Sequence, residues 1–160
     1  MTLESSRAMS EARLQGWADG GTSVLIGTVD ADNIPTCCRG IAIATKDNFD
    51  TVTVYVPAAT GQETVANVAT TRRIAVSLSR PLTHETIQIK GVSRGVRLAP
   101  PGDEEYIRER LYQFAEVLDA IGLPMRITRN MAHWPAFAIE LSVEEVFDQT
   151  PGPRAGTPLT

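Results

Sequence analysis

Cysteine and histidine are scarce in this sequence. Its 160 residues include two cysteines, Cys37 and Cys38, and two histidines, His84 and His133. Adjacent cysteines on a strand point to opposite faces and are poorly placed to bridge each other. We therefore interpret both as reduced, half-buried strand residues. Neither histidine has ligand spacing with acidic residues, so we predict no metal site and place both histidines in surface or loop positions.

Long apolar runs and excess positive charge are also lacking. No apolar run approaches the ~18 residues of a membrane span. Residues 1–17 include acidic residues and lack the apolar centre of a secretory signal, so we expect a cytoplasmic protein. The formal net charge of -4 argues against a nucleic-acid partner. We expect no nucleic-acid and no membrane partner, whereas a small anionic ligand needs only one local cluster of Arg and Lys.

The common catalytic motifs are missing too. The sequence has no GxSxG, no HExxH and no phosphate-binding P-loop. Its length and its 42% hydrophobic residues indicate one globular domain with a buried core. We predict a single domain over residues 1–160, with a barrel core at about 22–145 and a flexible tail rich in Pro and Gly at 149–160.

Short β-strand patterns dominate what is present. Residues 23–44 are predicted to form two strands joined by a tight turn at residues 30–33, where Asp and Asn tolerate left-handed backbone. The second of these strands is predicted to be continuous over residues 35–44. Further strands are predicted at residues 51–56, 74–79, 86–96 and 137–141, with residues 143–147 either continuing the last strand or bending away from it. Gly91 and Gly95 predict a bulge or bend, as a closing barrel needs.

Helices are predicted between the strands. A first short helix is expected near residues 6–18. Thr60 and Glu63 have the spacing of a capping box, which predicts a short helix to residue 69. Asp103 is predicted to cap the clearest helix, whose apolar residues recur every three or four positions at Ile107, Leu111, Phe114, Leu118 and Ile121. The short connections indicate about six antiparallel strands, which are most stable when closed into a barrel.

Two charges interrupt apolar strands. Arg39 and Lys90 have no acidic residue in their own strands, and a charge there is costly unless it is paired or reaches water. We expect both to lie on neighbouring strands, to face one cleft and to bind an anion. The alternative is that both side chains reach solvent from the barrel exterior. The start of the short helix, with Thr60, Gln62 and Thr64, also favours anions.

Four segments together resemble a known family. They are VLIGTVDADNIPTCCRGIAIA, TVTVYVP, TGQETVANVATTRRIAVSLS and IQIKGVSRGV, in this order. Their order and spacing resemble the FMN-binding split-barrel family related to pyridoxamine 5'-phosphate oxidase, over residues 22–145. Asn67 matches the helix Asn of that family, and Lys90 and Gly91 match its Lys/Glu-Gly pair. The resemblance implies a mainly β fold with flanking helices, a six-stranded antiparallel split β-barrel.

The resemblance also implies a function. It implies an FMN-dependent oxidoreductase of unknown substrate that is a homodimer, with two FMN sites at the subunit interface. The cofactor contacts that it implies are Arg39 for the phosphate or flavin, Thr60, Gln62 and Thr64 at the helix start, Gln88 and Lys90 for the ring or ribityl chain, and Trp134 from the partner subunit.

Thr64 departs from the family pattern. Many relatives carry Lys or Arg at this position, and Glu63 adds negative charge beside it. The change removes a charge-assisted hydrogen bond of roughly 1.5–3 kcal/mol. The alternatives are therefore a deazaflavin-dependent reductase and a non-catalytic binder of flavin or haem. No basic set for pyridoxamine phosphate is present, so we do not predict that oxidase activity.

Overall fold

The computed structural model describes residues 16–45 and 49–159. Most of the helix predicted at residues 6–18 lies outside these ranges, and residues 16–18 are helical. The strands in the described ranges are β1 Ser23–Val29, β2 Pro35–Gly40, β3 Ala42–Thr45, β4 Thr51–Pro57, β5 Arg73–Ser79, β6 Thr86–Leu98, β7 Ala136–Asp148 and β8 Thr157–Pro158. The helices there are α1 Gln62–Thr71, α2 Glu104–Asp119 and α3 Met125–Arg129, with a 3-10 turn at Pro101–Asp103.

The strands form one curled antiparallel sheet. Its order is β2-β1-β5-β6-β7-β4-β3, and β8 pairs with β7. β2 and β3 lie at opposite ends of this order, yet only Ile41 separates them along the chain. The two edges of the sheet must therefore meet, which curls it into a half-barrel. The prediction of a mainly β split barrel with flanking helices is confirmed.

The second predicted strand is broken in the structure, which gives seven strands along the sheet instead of six. At the break, the backbone N–H of Ile41 donates to the carbonyl of Tyr55 on β4 at 2.9 Å. Here the chain changes partners from β1 to β4. Gly40 suits the crossing, because a Cβ there would lie 2.6 Å from Val24 Cγ1 on β1.

The predicted turn and bulges are confirmed. The Asp30 carboxylate accepts the backbone N–H groups of Asp32 and Ile34 at 2.9 and 2.8 Å, and Asn33 has a φ of 62°. The β6–β7 register shifts between Lys90 and Gly91 and again between Ser93 and Gly95. These shifts bend β6, which lets one long strand take part in both halves of the barrel.

Asp103 lies at the N-cap position of α2 as predicted, but neither predicted cap forms a side-chain hydrogen bond to its helix. α1 begins after Gly61 without a side-chain cap, and Glu63 instead accepts the hydroxyl of Thr36 at 2.8 Å. α2 begins after Asp103, whose carboxylate accepts the hydroxyl of Tyr55 at 3.0 Å. In both places the carboxylate accepts a hydrogen bond from a strand residue of the barrel instead of capping the helix.

The core fills the barrel and extends under α2. Inward side chains of the strands, including Ile26, Val76 and Leu78, are fully or almost fully buried. A second buried cluster joins Tyr55 and Ala138 of the sheet to α2 through Ile107 and Leu111. α2 therefore lies against the sheet edge at which β2 crosses to β3.

The C-terminal tail contains more regular structure than predicted. Thr157 and Pro158 pair with Asp148 and Phe147 of β7, and the N–H of Leu159 donates to the carbonyl of Val146 at 2.7 Å. β7 has 13 residues, and β4 pairs only with its first half. The remaining edge of β7 accepts β8, so the prediction of a wholly irregular tail is wrong.

Candidate functional site

A cavity of about 390 Å³ lies beside the crossing from β2 to β3. We call it the β2 cavity; its lining includes Cys37, Arg39, Ile41, Thr60, Leu111 and Phe114. β2, the loop after β4 and α2 each contribute one wall. Residues that are distant in the sequence therefore meet only because the sheet closes.

Arg39 is the cation of this cavity. It is half-buried, and its guanidinium carbon lies 5.1 Å from the centroid of the Phe114 ring. Burial lowers the pKa of Arg39, although a guanidinium remains protonated near neutral pH. Among the described residues no carboxylate pairs with it. An anion in the cavity would supply the missing countercharge.

The other walls are largely apolar. Ile41, Pro57, Leu111, Phe114 and Met131 all line the cavity. The sequence assigned Leu111 and Phe114 to the core face of α2, and both are indeed buried. Their position in the cavity lining could not be predicted, because only the tertiary fold places α2 over Arg39. An apolar wall with one cation suits a planar ligand that carries an acidic group.

The start of α1 contributes less than predicted to the cavity. Thr60 lines the cavity and is exposed. The Gln62 side chain folds back and donates to the carbonyl of Ala58 at 3.0 Å. Thr64 is buried, and its hydroxyl donates to Cys38 Sγ at 3.0 Å. Thr64 thus lies behind the wall that Cys38 forms.

Asn67, Cys38 and Cys37 also lie at this wall and differ in their burial. Asn67, which matches the family asparagine, is buried and donates to the hydroxyl of Thr28 at 3.2 Å. Burial raises the pKa of the Cys38 thiol, and the bond from Thr64 partly opposes that effect. Cys37 is exposed, not half-buried as predicted, and only Cys38 is of intermediate exposure.

Arg39 and Lys90 do not lie on neighbouring strands. β1 and β5 separate β2 from β6, so that prediction is wrong. Lys90 lines a second depression of about 810 Å³ on the outer face of the sheet, which we call the sheet groove. Its ammonium group lies 4.6 Å from the centroid of the Phe147 ring. Arg39 therefore lies in the β2 cavity and Lys90 in the sheet groove.

The last two predicted contacts lie outside the β2 cavity. The side chain of Gln88 donates to the hydroxyl of Ser77 on β5 at 3.3 Å. Trp134 packs against the buried cluster between α2 and the sheet. Met131 and Ala132, a few residues before Trp134, do line the cavity. A contact from Trp134 to the site of a partner subunit stays a prediction.

The described ranges lack both a cluster of metal ligands and a membrane-spanning helix. Residues 16–45 and 49–159 contain no group of three His, Cys, Asp or Glu side chains that could hold a metal ion. No helix in that part of the chain has the length and apolar character needed to span a membrane. His84 is exposed, and His133 Nδ1 lies 2.9 Å from the carbonyl oxygen of Met131.

Comparison with known proteins gives matches in structure only. No family profile and no curated protein matches the sequence. HupZ from Group A Streptococcus matches with a TM-score of 0.55 at 14% identity, over 91% of this chain and 98% of that one. An F420 reductase matches with a TM-score of 0.52 at 10% identity, over 82% and 94%. A putative pyridoxamine 5'-phosphate oxidase from Lactobacillus delbrueckii gives 0.49 at 15%, over 92% and 93%.

The chain is a split barrel. At these identities the two matches with TM-scores above 0.5 show likeness of fold alone. Split barrels with such different names share a scaffold, and the function of each depends on its own side chains. For this split barrel, those side chains are the ones around the β2 cavity and the sheet groove.

Proposed function

We propose that this split barrel binds FMN in the β2 cavity and acts as a flavin-dependent oxidoreductase. The observation that carries the proposal is Arg39, a half-buried guanidinium over Phe114 without a carboxylate partner among the described residues. A phosphate supplies two acceptor oxygens in the geometry that a guanidinium prefers. The flavin supplies the electron-transfer chemistry when bound, so the protein needs no acid–base pair of its own.

The residues present fit such a ligand. The cavity volume of about 390 Å³ is within the range of cofactor sites, roughly 300–1,000 Å³. Arg39 and the Thr60 hydroxyl would hold the phosphate, and Leu111 and Met131 would cover the ring and exclude water. Thr64 donates to Cys38 and Glu63 accepts from Thr36, so neither adds a cation. Arg39 would therefore carry most of the phosphate recognition.

We further propose that the protein is a homodimer. The β2 cavity is open on one side, whereas cofactor sites usually bury most of their ligand. A two-fold axis would cover two such cavities at once, each with residues of the partner. Trp134 is the residue that the family resemblance assigns to this role.

Arg39→Ala tests the phosphate contact. We expect it to weaken FMN binding by one to two decades, from roughly 1.5–3 kcal/mol for a charged hydrogen bond. Riboflavin, which has no phosphate, should lose far less affinity. Arg97→Ala is the matched control, because Arg97 is an exposed arginine outside the β2 cavity. Fluorescence titration of the unmodified protein and the two variants measures all six affinities. Equal losses for FMN and riboflavin would place the phosphate elsewhere.

Reduction separates an enzyme from a binder. If the FMN-loaded protein is an oxidoreductase, NADH or NADPH should bleach its flavin absorption without oxygen. A protein that binds FMN tightly but resists both donors would be a storage or sensing protein.

Haem binding is a second candidate. His133 lies close to the β2 cavity, and Met131, to which its Nδ1 is hydrogen-bonded, lines that cavity. With Nδ1–H donating to the carbonyl, Nε2 keeps its lone pair for a metal. A haemin titration should then give a Soret band that His133→Ala shifts or removes. The structural match to an F420 reductase makes a deazaflavin the third ligand to titrate.

A further inference from the structure

The sheet groove crosses the strands on the outer face of the barrel. The pairing register places Cys37, Gly27, Ala75, Lys90 and Glu145 in one row over β2, β1, β5, β6 and β7. Adjacent strands are about 4.8 Å apart, so this row is roughly 19 Å long. Gly27 and Ala75 form its floor, because neither has a side chain larger than a methyl group. The groove is therefore long, shallow and open to a ligand.

One end of the groove meets the proposed cofactor site. Cys37 lines both the sheet groove and the β2 cavity. A ligand lying along the row could therefore extend past Cys37 into the cavity. Any second reactant for a cofactor in that cavity has a direct approach along the groove.

Two cations lie in the middle of the groove. Lys90 is opposite Ala75, and Arg73 lies two residues from Ala75 on the same face of β5. The backbone positions of such diagonal neighbours are about 7–8 Å apart, which lets two long side chains reach one pyrophosphate. Both side chains are exposed, and among the described residues neither forms an ion pair, although Glu145 lies directly opposite Lys90 on β7. The Lys90 ammonium group lies over the ring of Phe147, which is opposite Gln88 and outside the groove lining, so this side chain would have to turn toward Arg73 to bind a pyrophosphate with it.

Carboxylates occupy the far end of the groove. Glu144 and Glu145 are exposed on β7 and line it beyond Lys90. A carboxylate accepts both hydroxyls of a ribose well, and in dinucleotide sites it favours a free 2′-hydroxyl over a 2′-phosphate. From the cavity outward the groove thus offers a small-residue floor, two cations and then two carboxylates.

We propose that the sheet groove binds NADH as the electron donor of this protein. The order of its surfaces matches the order of groups along the molecule. The nicotinamide would lie beside Cys37 at the mouth of the β2 cavity, the pyrophosphate would bind Arg73 and Lys90, and the adenosine ribose would bind Glu144 and Glu145. At the cavity mouth the dihydronicotinamide would give up one hydride, which carries two electrons, to a bound flavin and would become oxidised nicotinamide. This donor role depends on the proposed function, whereas dinucleotide binding does not.

The test is calorimetric titration of the flavin-free chain with NAD⁺, NADP⁺ and ADP. We expect NAD⁺ to bind more tightly than ADP and NADP⁺. Arg73→Gln and Lys90→Met should each weaken NAD⁺ binding at least tenfold, whereas Arg97→Ala, on the same strand as Lys90 but outside the groove, should not. Glu145→Gln should reduce the preference for NAD⁺ over NADP⁺. Circular dichroism confirms that each variant is folded.

Three results would overturn the proposal. NAD⁺ affinity that both groove variants leave unchanged would remove the pyrophosphate site. ADP binding as tight as NAD⁺ would show that the nicotinamide half does not reach the cavity. Loss of a dimer in sedimentation with Arg73→Gln, without NAD⁺ binding by the unmodified chain, would assign this face to a second copy. FMN titration of the same variants tests the proposed function separately, because none of these residues lines the β2 cavity.

Discussion

At the scale of single residues, Tyr55 shows how one side chain connects the sheet to a helix. It is buried, and its hydroxyl donates to Asp103 at the start of α2. Burial, followed by the bond to Asp103, raises the pKa of Tyr55. The folded state thus retains the phenol proton at pH values where the unfolded chain, with a tyrosine pKa of about 10, has lost it. The protonated Tyr55 therefore stabilises the fold fully below the unfolded pKa, and this stabilisation is lost as the pH rises from there through the folded pKa.

Tyr55→Phe tests this connection. We expect the free energy of unfolding at pH 7 to fall by about 1 kcal/mol, the net value of one hydrogen bond. Between pH 9 and 11 the variant should lose less stability than the unmodified protein, because it has no phenol to deprotonate at this position. Tyr112→Phe is the control, since Tyr112 is exposed and should change neither quantity. Urea denaturation at each pH measures the effect, and parallel pH curves would contradict it.

Residue roles were the least predictable part from the sequence. Asp103 matched a helix cap and Glu63 matched a capping box, because both patterns are local. In the structure the Asp103 carboxylate accepts the hydroxyl of Tyr55, 48 positions away. The Glu63 carboxylate accepts the hydroxyl of Thr36, 27 positions away. Arg39 was recognisable as an unpaired strand cation, whereas its neighbour Phe114 was not. Local pattern identifies a polar group that needs a partner, and only the tertiary fold decides which partner it finds.

At the scale of elements, the two glycines in the bulges of β6 have different roles. A Cβ at Gly91 would lie 1.9 Å from the carbonyl oxygen of Ser142, whereas a Cβ at Gly95 would have no atom within 4 Å. We expect Gly91→Ala to destabilise the protein by at least about 1–3 kcal/mol, because backbone must move. Gly95→Ala should stay within about 0.5 kcal/mol. Urea midpoints of the two variants give the comparison, and similar midpoints would show that the bulge adapts freely.

Elements were predicted well wherever their causes are local. The alternation in β4 and β5, the turn at Asp30 and the glycines of β6 are all visible in the sequence. The break at Ile41 is not, because a single glycine at residue 40 does not show that the chain changes strand partners there. It arises when the Ile41 N–H bonds to Tyr55 across the closed barrel. β8 was missed for the same reason, since only the finished sheet exposes the edge of β7 that it joins.

At the scale of the whole molecule, the strand order decides which cation lies in the β2 cavity and which lies in the sheet groove. Spacing in the sequence placed Arg39 and Lys90 together, since each interrupts an apolar strand. The order β2-β1-β5-β6 puts two strands between them. One predicted anion site thus becomes two spaces that meet at Cys37. A cofactor and an electron donor would each have a cation of its own.

Sharing of the site between two subunits is the remaining prediction at this scale. If Arg39 acts in its own subunit and Trp134 in the partner's site, Arg39→Ala and Trp134→Leu should each weaken FMN binding at both sites of a homodimer. A mixed dimer would carry both defects in one site and none in the other.

Co-refolding the two variants in equal amounts should therefore restore tight FMN binding to about a quarter of all sites, because half of the dimers are mixed. Fluorescence titration counts these sites, and sedimentation confirms the dimers. If Trp134 acts within its own subunit, every site in the mixture keeps one defect and no tight binding returns. Tight FMN binding by a monomer would contradict the shared site more directly, because the β2 cavity of one chain would then be sufficient.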